Sequence, residues 1–281
     1  MSSDTDSRVR VAATRALASI ADPGSAPALL KRSDAPRSEL LEIATALGRV
    51  LPNTSNAEAI TFLTNMRKTD PEVEIALAKI DPNQYVSGVA ITLESGNGQM
   101  VSAVAQALGE LAPSREKARA LAMARELAQS KETPEQSMYD VLQALKALKA
   151  PDLTKIALAK LKSMDVVTRA AAADVLAEVP PSPEIPQALV DALHATASDR
   201  QNDAALSIVG ALRKSKDSAA AAALLEAAQN PDHLIRRKAN PSGNIGPVAS
   251  RNKHEDYVRA ISRVGKEPKA TLTTDKGVIT I

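Results

Sequence analysis

Asp165-Val166-Val167-Thr168-Arg169-Ala170-Ala171-Ala172-Ala173-Asp174-Val175-Leu176-Ala177-Glu178-Val179 decides the fold of this chain. On a helix, Thr168, Ala172, Val175, Leu176 and Val179 fall on one apolar stripe, while Asp174 and Glu178 point elsewhere and Asp165 takes the N-cap position. Such a helix cannot shelter its stripe alone, and its alanine-rich flanks let neighbours approach closely. The register recurs at Leu17, Leu47, Leu77, Leu108, Leu145, Leu176 and Leu212, separated by 30, 30, 31, 37, 31 and 36 residues. Four positions before each leucine stands Ala13, Ile43, Val73, Val104, Val141, Ala172 or Ile208. Three positions after come Ile20, Val50, Ile80, Leu111, Leu148, Val179 and, as the one break, Ser215. Matching flanks at near-constant spacing indicate a tandem helical repeat.

Composition agrees. Of 281 residues, 44% are hydrophobic, yet the rings are only Phe62, Tyr85, Tyr139 and Tyr257. Closed enzyme pockets of this size usually use large rings, whereas stacked helix pairs are packed by Ala, Leu, Ile and Val. The net charge of +2 is uneven: residues 241–281 hold seven bases and four acids, which leaves residues 1–240 at −1. Electrostatic capture of nucleic acid or an anionic membrane therefore has little support. Absence of cysteine excludes disulfides, thiolate metal sites and thiol nucleophiles. No segment has the apolar length of a membrane span, and Met1 to Arg10 has no export signal. The expectation is a cytoplasmic protein as written, or a periplasmic or cell-envelope one if an upstream signal is missing.

Outward from the template, the first helix starts near Ser7 with Asp6 as cap, and Asp22-Pro23-Gly24 turns into a short partner over Ala26 to Arg32. Further pairs are expected over Arg37 to Leu51 with Asn56 to Lys68, Pro71 to Ile80 with Gln84 to Leu93, and Gln99 to Leu111 with Ser114 to Gln129. They continue over Pro134 to Leu148 with Asp152 to Leu161, Asp165 to Val179 with Glu184 to Ala195, and Asp199 to Lys214 with Ser218 to Ala228. An eighth begins at Asn230-Pro231-Asp232. Asp70-Pro71 and Asp81-Pro82 read as cap plus proline at the first helical position. Ser95-Gly96-Asn97-Gly98 reads as a turn. Residues 241–268 read as a Pro- and Gly-rich linker with one helix, about His254 to Val264. At the end the period changes to two: Ala270 to Thr273 and Val278 to Ile281 flank a turn over Thr274 to Gly277, a β-hairpin within residues 269–281.

Residues 6–240 resemble HEAT repeats. The resemblance rests on Val9-Arg10-x-x-Ala13-x-x-Ala16-Leu17-x-x-Ile20, on Thr168-Arg169-x-x-Ala172-x-x-Val175-Leu176, and on Asp232-x-x-Ile235-Arg236-x-x-Ala239. It implies a right-handed α-solenoid of antiparallel helix pairs over residues 1–240, with arginines tying neighbouring repeats and a concave face that binds protein. Only Arg10, Arg169 and Arg236 match the arginine slot; Leu40, Asp70, Val101, Met138 and Ala205 occupy it elsewhere.

Lys269 to Ile281 is similar to the opening hairpin of cyclophilin-type peptidyl-prolyl isomerases, placed as in bacterial fusions of a HEAT array with a cyclophilin. This implies a parent protein that presents client polypeptides to an isomerase. It also implies that this chain, truncated after the hairpin and before that family's catalytic motifs, is inactive. An alternative is a nucleic-acid-binding HEAT-like protein, against which the net −1 of the array and its few rings weigh.

No catalytic, cofactor-binding or metal-binding residue is assigned. His194, His233 and His254 lack metal-ligand spacing. Gly96-Asn97-Gly98 and Gly243-Asn244-Ile245-Gly246 lack the lysine and hydroxyl of a phosphate loop. Arg236-Arg237-Lys238 and Arg213-Lys214-x-Lys216 read as solvated helix ends or as an anion-binding rim. Met100, Met138 and Met164 read as packing residues.

Overall fold

In a computed structural model the structure describes residues 4–67, 69–94, 97–244, 246, 253–265, 269 and 271–280. The chain divides into Met1–Pro241 and Ser242–Ile281. The first unit is all helical. Its helices alternate in chain order between a first and a second row: α1 (Ser7–Ile20) with α2 (Ala26–Leu30), α3 (Arg37–Val50) with α4 (Ala57–Met66), α5 (Glu74–Ile80) with α6 (Pro82–Glu94), and α7 (Gly98–Glu110) with α8 (Lys117–Gln129). Then follow α9 (Met138–Ala147) with α10 (Leu153–Lys160), α11 (Val166–Leu176) with α12 (Glu184–Ala195), α13 (Asp203–Leu212) with α14 (Ser218–Ala227), and α15 (His233–Ala239).

Side-chain caps set many of these starts. Asp6, Asn56, Asn97, Asp165, Asp217 and Asp232 each accept from a backbone N–H of the helix's first turn. Asp81 accepts from Gln84 N at 2.9 Å. Asp70 and Asp199, which the sequence marks as helix starts, do not cap: each receives a guanidinium from the preceding repeat, Arg37 and Arg169 respectively. The helices behind them begin late, Pro71–Val73 being a 3-10 turn before α5 and α13 starting at Asp203. Other boundaries shift too. Ser114 accepts from Glu116 N at 3.2 Å in a turn, and α8 starts only at Lys117. Gly98, expected in a turn, is the first residue of α7, and Lys68, Ser95 and Gly96 lie outside the described residues.

The first helices form a row in which each touches the next: α1 with α3, α3 with α5, and so on to α13 with α15. Second helices touch one another less, α2 with α4 and α12 with α14 being the substantial cases, and each packs on the first helix that follows it, α2 on α3 through α14 on α15. The expected pairs α1–α2, α3–α4 and α11–α12 make no substantial contact, so the packed unit is shifted by one helix from the sequence's pairing. The marker leucines lie in the core between them: Leu47, Leu77, Leu108, Leu145, Leu176 and Leu212 are buried, and Leu17 is partly buried and packed against the same core. Ile20 departs from the register's expectation, being 69% exposed at the outer edge of α1.

The row is close because small residues line its seam. A Cβ on Gly48 would sit 2.9 Å from Ala76 Cα, and one on Gly109 would sit 3.3 Å from Ala144 Cα. Both glycines directly follow a marker leucine, and both alanines directly precede the next. The same two register positions hold Ala18 and Ala46, and again Ala78 and Ala107, all buried. Interiors this dense leave no slack for an added methyl.

The second unit contains α16 (His254–Ile261) and a two-stranded antiparallel sheet, β1 (Thr271–Thr274) with β2 (Gly277–Thr280). Thr274 pairs with Gly277, so the turn is only Asp275-Lys276, shorter than the four residues expected. Gly277 adopts φ 142°, a backbone angle that other residues rarely accept. Tyr257, Val258, Ile261, Leu272, Val278 and Ile279 are exposed. Ala270, Ile281 and, within the stretch read as a linker, residues 245, 247–252 and 266–268 lie outside the described residues.

Candidate functional site

The arginines of the repeat motif are structural clamps. Arg10 donates to the carbonyls of Asp4 and Thr5 at 2.7 and 2.9 Å, Arg169 to those of Ser163 and Met164 at 2.7 and 3.0 Å, and Arg236 to those of Asn230 and Pro231, both at 2.8 Å. In each case the targets lie six and five residues back, so one guanidinium closes the turn that enters its helix. Arg10 and Arg169 also reach forward one repeat, to Glu39 and Asp199.

Repeats without the motif arginine substitute other pairs. Arg32 adds a second cation to buried Glu39, and Arg67 donates twice to fully buried Glu74, at 2.5 and 2.9 Å. The Arg67 guanidinium also lies 5.9 Å from the Tyr85 ring centroid. Burial, reinforced by the Glu74 charge, pushes the Tyr85 hydroxyl well above the ordinary tyrosine value. The Arg10 hydrogen bond holds Glu39 below its ordinary value against the opposing effect of burial. Burial works to raise Asp70, but bonds from Thr69 and Arg37 overcome it and leave that carboxyl lowered.

A different arrangement lies on the exposed face of the first helices. A groove of about 420 Å³ crosses α9, α11, α13 and α15. Its small-residue floor is Ala177, Gly210 and Ala211. Tyr139, 45% exposed, stands at the α9 side with Gln143. The charged wall is Lys146, Asp174, Glu178, Lys214 and Lys238.

These charges are not equivalent. Lys146 is bonded to Glu178, whose carboxyl is lowered by that bond first and, more weakly, by the charge of Lys214. Neither Lys214 nor Lys238 has an ion-pair partner among the described residues. The stem of Lys238 lies over Gly210, where a Cβ would meet Lys238 Cε at 3.2 Å.

A second depression of about 490 Å³ lies between α1 and α3, but its charged groups are already paired: Arg8 with Asp6, Arg15 with Glu42, and Glu39 with Arg10.

The structure scatters the histidines. His194 contacts Glu226 at 3.2 Å, His233 is 3.9 Å from Asp232, and His254 starts α16. Among the described residues no three His, Cys, Asp or Glu side chains cluster as metal ligands would. No helix among them is long and apolar enough to cross a membrane. Met138 is buried as expected, whereas Met164 is 95% exposed and is corrected from packing residue to turn residue, its carbonyl held by Arg169. Lys214 and Lys238 belong to the two basic clusters visible in the sequence. The groove that joins them was not visible, because its parts come from four repeats.

Comparison with known protein families and with curated proteins returned no match. Among solved structures, the crystal structure of an engineered protein is similar at 19% identity over 85% of this chain and 74% of that one, with a TM-score of 0.34. At that score the likeness carries no argument about fold or function.

Proposed function

We infer that the chain is an α-solenoid of the HEAT type that acts as a protein–protein interaction scaffold, with the row of first helices on its concave side. The carrying observation is the unequal packing of the two helix rows. First helices touch down the whole row and second helices sparsely, and in a stack of wedge-shaped pairs the tighter row lies on the inside of the curve. The exposed side chains of the first helices then form one continuous strip, suited to an extended polypeptide.

The charge pattern favours protein over nucleic acid. Arg15, Lys79 and Lys146 on the first helices are matched by Glu42, Glu110 and Glu178 of the following repeat, so the strip is largely neutralised before any partner arrives.

Photo-crosslinking tests this directly. Crosslinkers at Gln106 and Asp174, on first helices, should capture client polypeptides, while one at Leu225 on a second helix should not. Capture from Leu225 alone would contradict the assignment of faces. Service to a proline isomerase rests on the resemblance of residues 269–281 alone. Its test is a proline-isomerisation assay on a longer polypeptide containing this chain, with turnover expected and its absence contradicting the link.

A further inference from the structure

We propose that the groove across α9, α11, α13 and α15 binds an acidic extended peptide segment, with Lys214 and Lys238 as its anchoring cations. The proposal rests on the scaffold reading above and adds to it the chemistry of the partner and the stretch of the array that holds it.

Three observations lead there. Along the row of first helices, Arg15, Lys79 and Lys146 are matched to a carboxylate one repeat on, whereas Lys214 and Lys238, like Arg49 and Arg237, have no ion-pair partner among the described residues. Both ammoniums line one groove, together with half-exposed Tyr139, whose hydroxyl is a further donor. The floor is cleared for a backbone: Ala177, Gly210 and Ala211 present almost no side chain, and the end of the Lys238 stem passes close over Gly210.

Spacing fits a peptide. Packed helices lie about 8–10 Å apart, so a groove crossing four of them is roughly 25–30 Å long. An extended chain advances about 3.3 Å per residue, so some eight residues fill it. Duplex or single-stranded nucleic acid fits worse, because Asp174 on the same wall would face a phosphate and Lys146 is already committed to Glu178. A peptide can place neutral residues opposite Asp174 and carboxylates opposite the two lysines.

The test is fluorescence anisotropy with the full chain and a labelled ten-residue peptide containing four Glu, beside its Gln counterpart, a ten-residue Lys-rich peptide and a twenty-nucleotide single-stranded DNA. The Glu peptide should bind at low salt, weaken as salt is raised, and lose about tenfold or more in affinity with Lys214→Glu/Lys238→Glu. That variant should gain affinity for the Lys-rich peptide, a reversal that unfolding could not produce. Lys131→Glu/Lys162→Glu, on exposed turns outside the groove, should bind the Glu peptide as the parent does. Equal binding of the Gln peptide, an unaffected Lys214→Glu/Lys238→Glu variant, no binding of the Glu peptide, or preference for the DNA would each overturn the proposal. If client crosslinks at Gln106 and Asp174 persist while the peptide arms fail, this inference falls and the scaffold reading stands. If the crosslinks fail as well, both fall.

Discussion

The two rows of helices in the first unit differ in what they touch. In the row of first helices, small residues stand where one helix crosses the next, and buried ion pairs span repeats. The second helices touch one another sparsely and pack chiefly on the first helix of the following repeat, and side chains such as Leu225, 75% exposed, face solvent. The lesson is that a repeat protein can couple its repeats in two ways, directly along one row and through the other row's helices, each of which bridges to the first helix of the next repeat.

That contrast can be broken most severely at a marker leucine. Leu145→Ala removes a fully buried side chain from α9 and should cost about 3–4 kcal/mol, while Leu225→Ala on α14 should change stability by less than about 0.5 kcal/mol. Denaturant titration of both variants measures the gap, and equal losses would erase the distinction between rows. Arg169→Ala comes next. It releases two carbonyls and leaves Asp199, 12% exposed at its side chain, without its cation, for a loss of about 3 kcal/mol by the same measurement.

Glycine substitutions sharpen the comparison because they reverse sign. Gly48→Ala in α3 must push α5 away and should cost about 2 kcal/mol, whereas Gly88→Ala in α6 meets nothing within 4 Å and should stabilise by about 0.5–1 kcal/mol. Thermal melts of the pair decide the matter.

Acid gives the mildest and most distributed effect. Glu39 and Asp70 have folded values below their unfolded ones, so the folded state binds its protons later. Their stabilisation is present above the ordinary carboxylate range and is lost as the pH falls through the depressed values, from roughly pH 5 downward. Glu39→Gln should flatten that acid limb of a stability–pH profile while lowering stability near neutrality.

Much of this was legible in the sequence, and the reasons divide cleanly. Ile43, Leu47 and Val50 announce their burial because periodicity records which face of a helix is dry. Asp165 and Asp6 announce caps because a cap is local chemistry, complete within four residues. Asp70, read as a cap, and Asp199, read as a helix start, both serve a guanidinium instead, since their partners Arg37 and Arg169 lie 33 and 30 residues away. The groove was hidden for the same reason on a larger scale. Lys214 and Lys238 each looked like the basic end of a helix, and only the stacking of α13 on α15 over Gly210 puts both in one depression.

Because the chain contains no cysteine, spin labels can be placed in pairs without background, and interlabel distances test the ordered stack most directly. Labels at Thr45 and Gln106 are two steps apart along the first-helix row, and labels at Thr45 and Asp174 are four. The account predicts about 20 Å for the nearer pair and nearly twice that for the farther, given about 8–10 Å per step. Similar distances for the two pairs would show that the ends fold back on one another, and would contradict an array in which each repeat rests only on its neighbours.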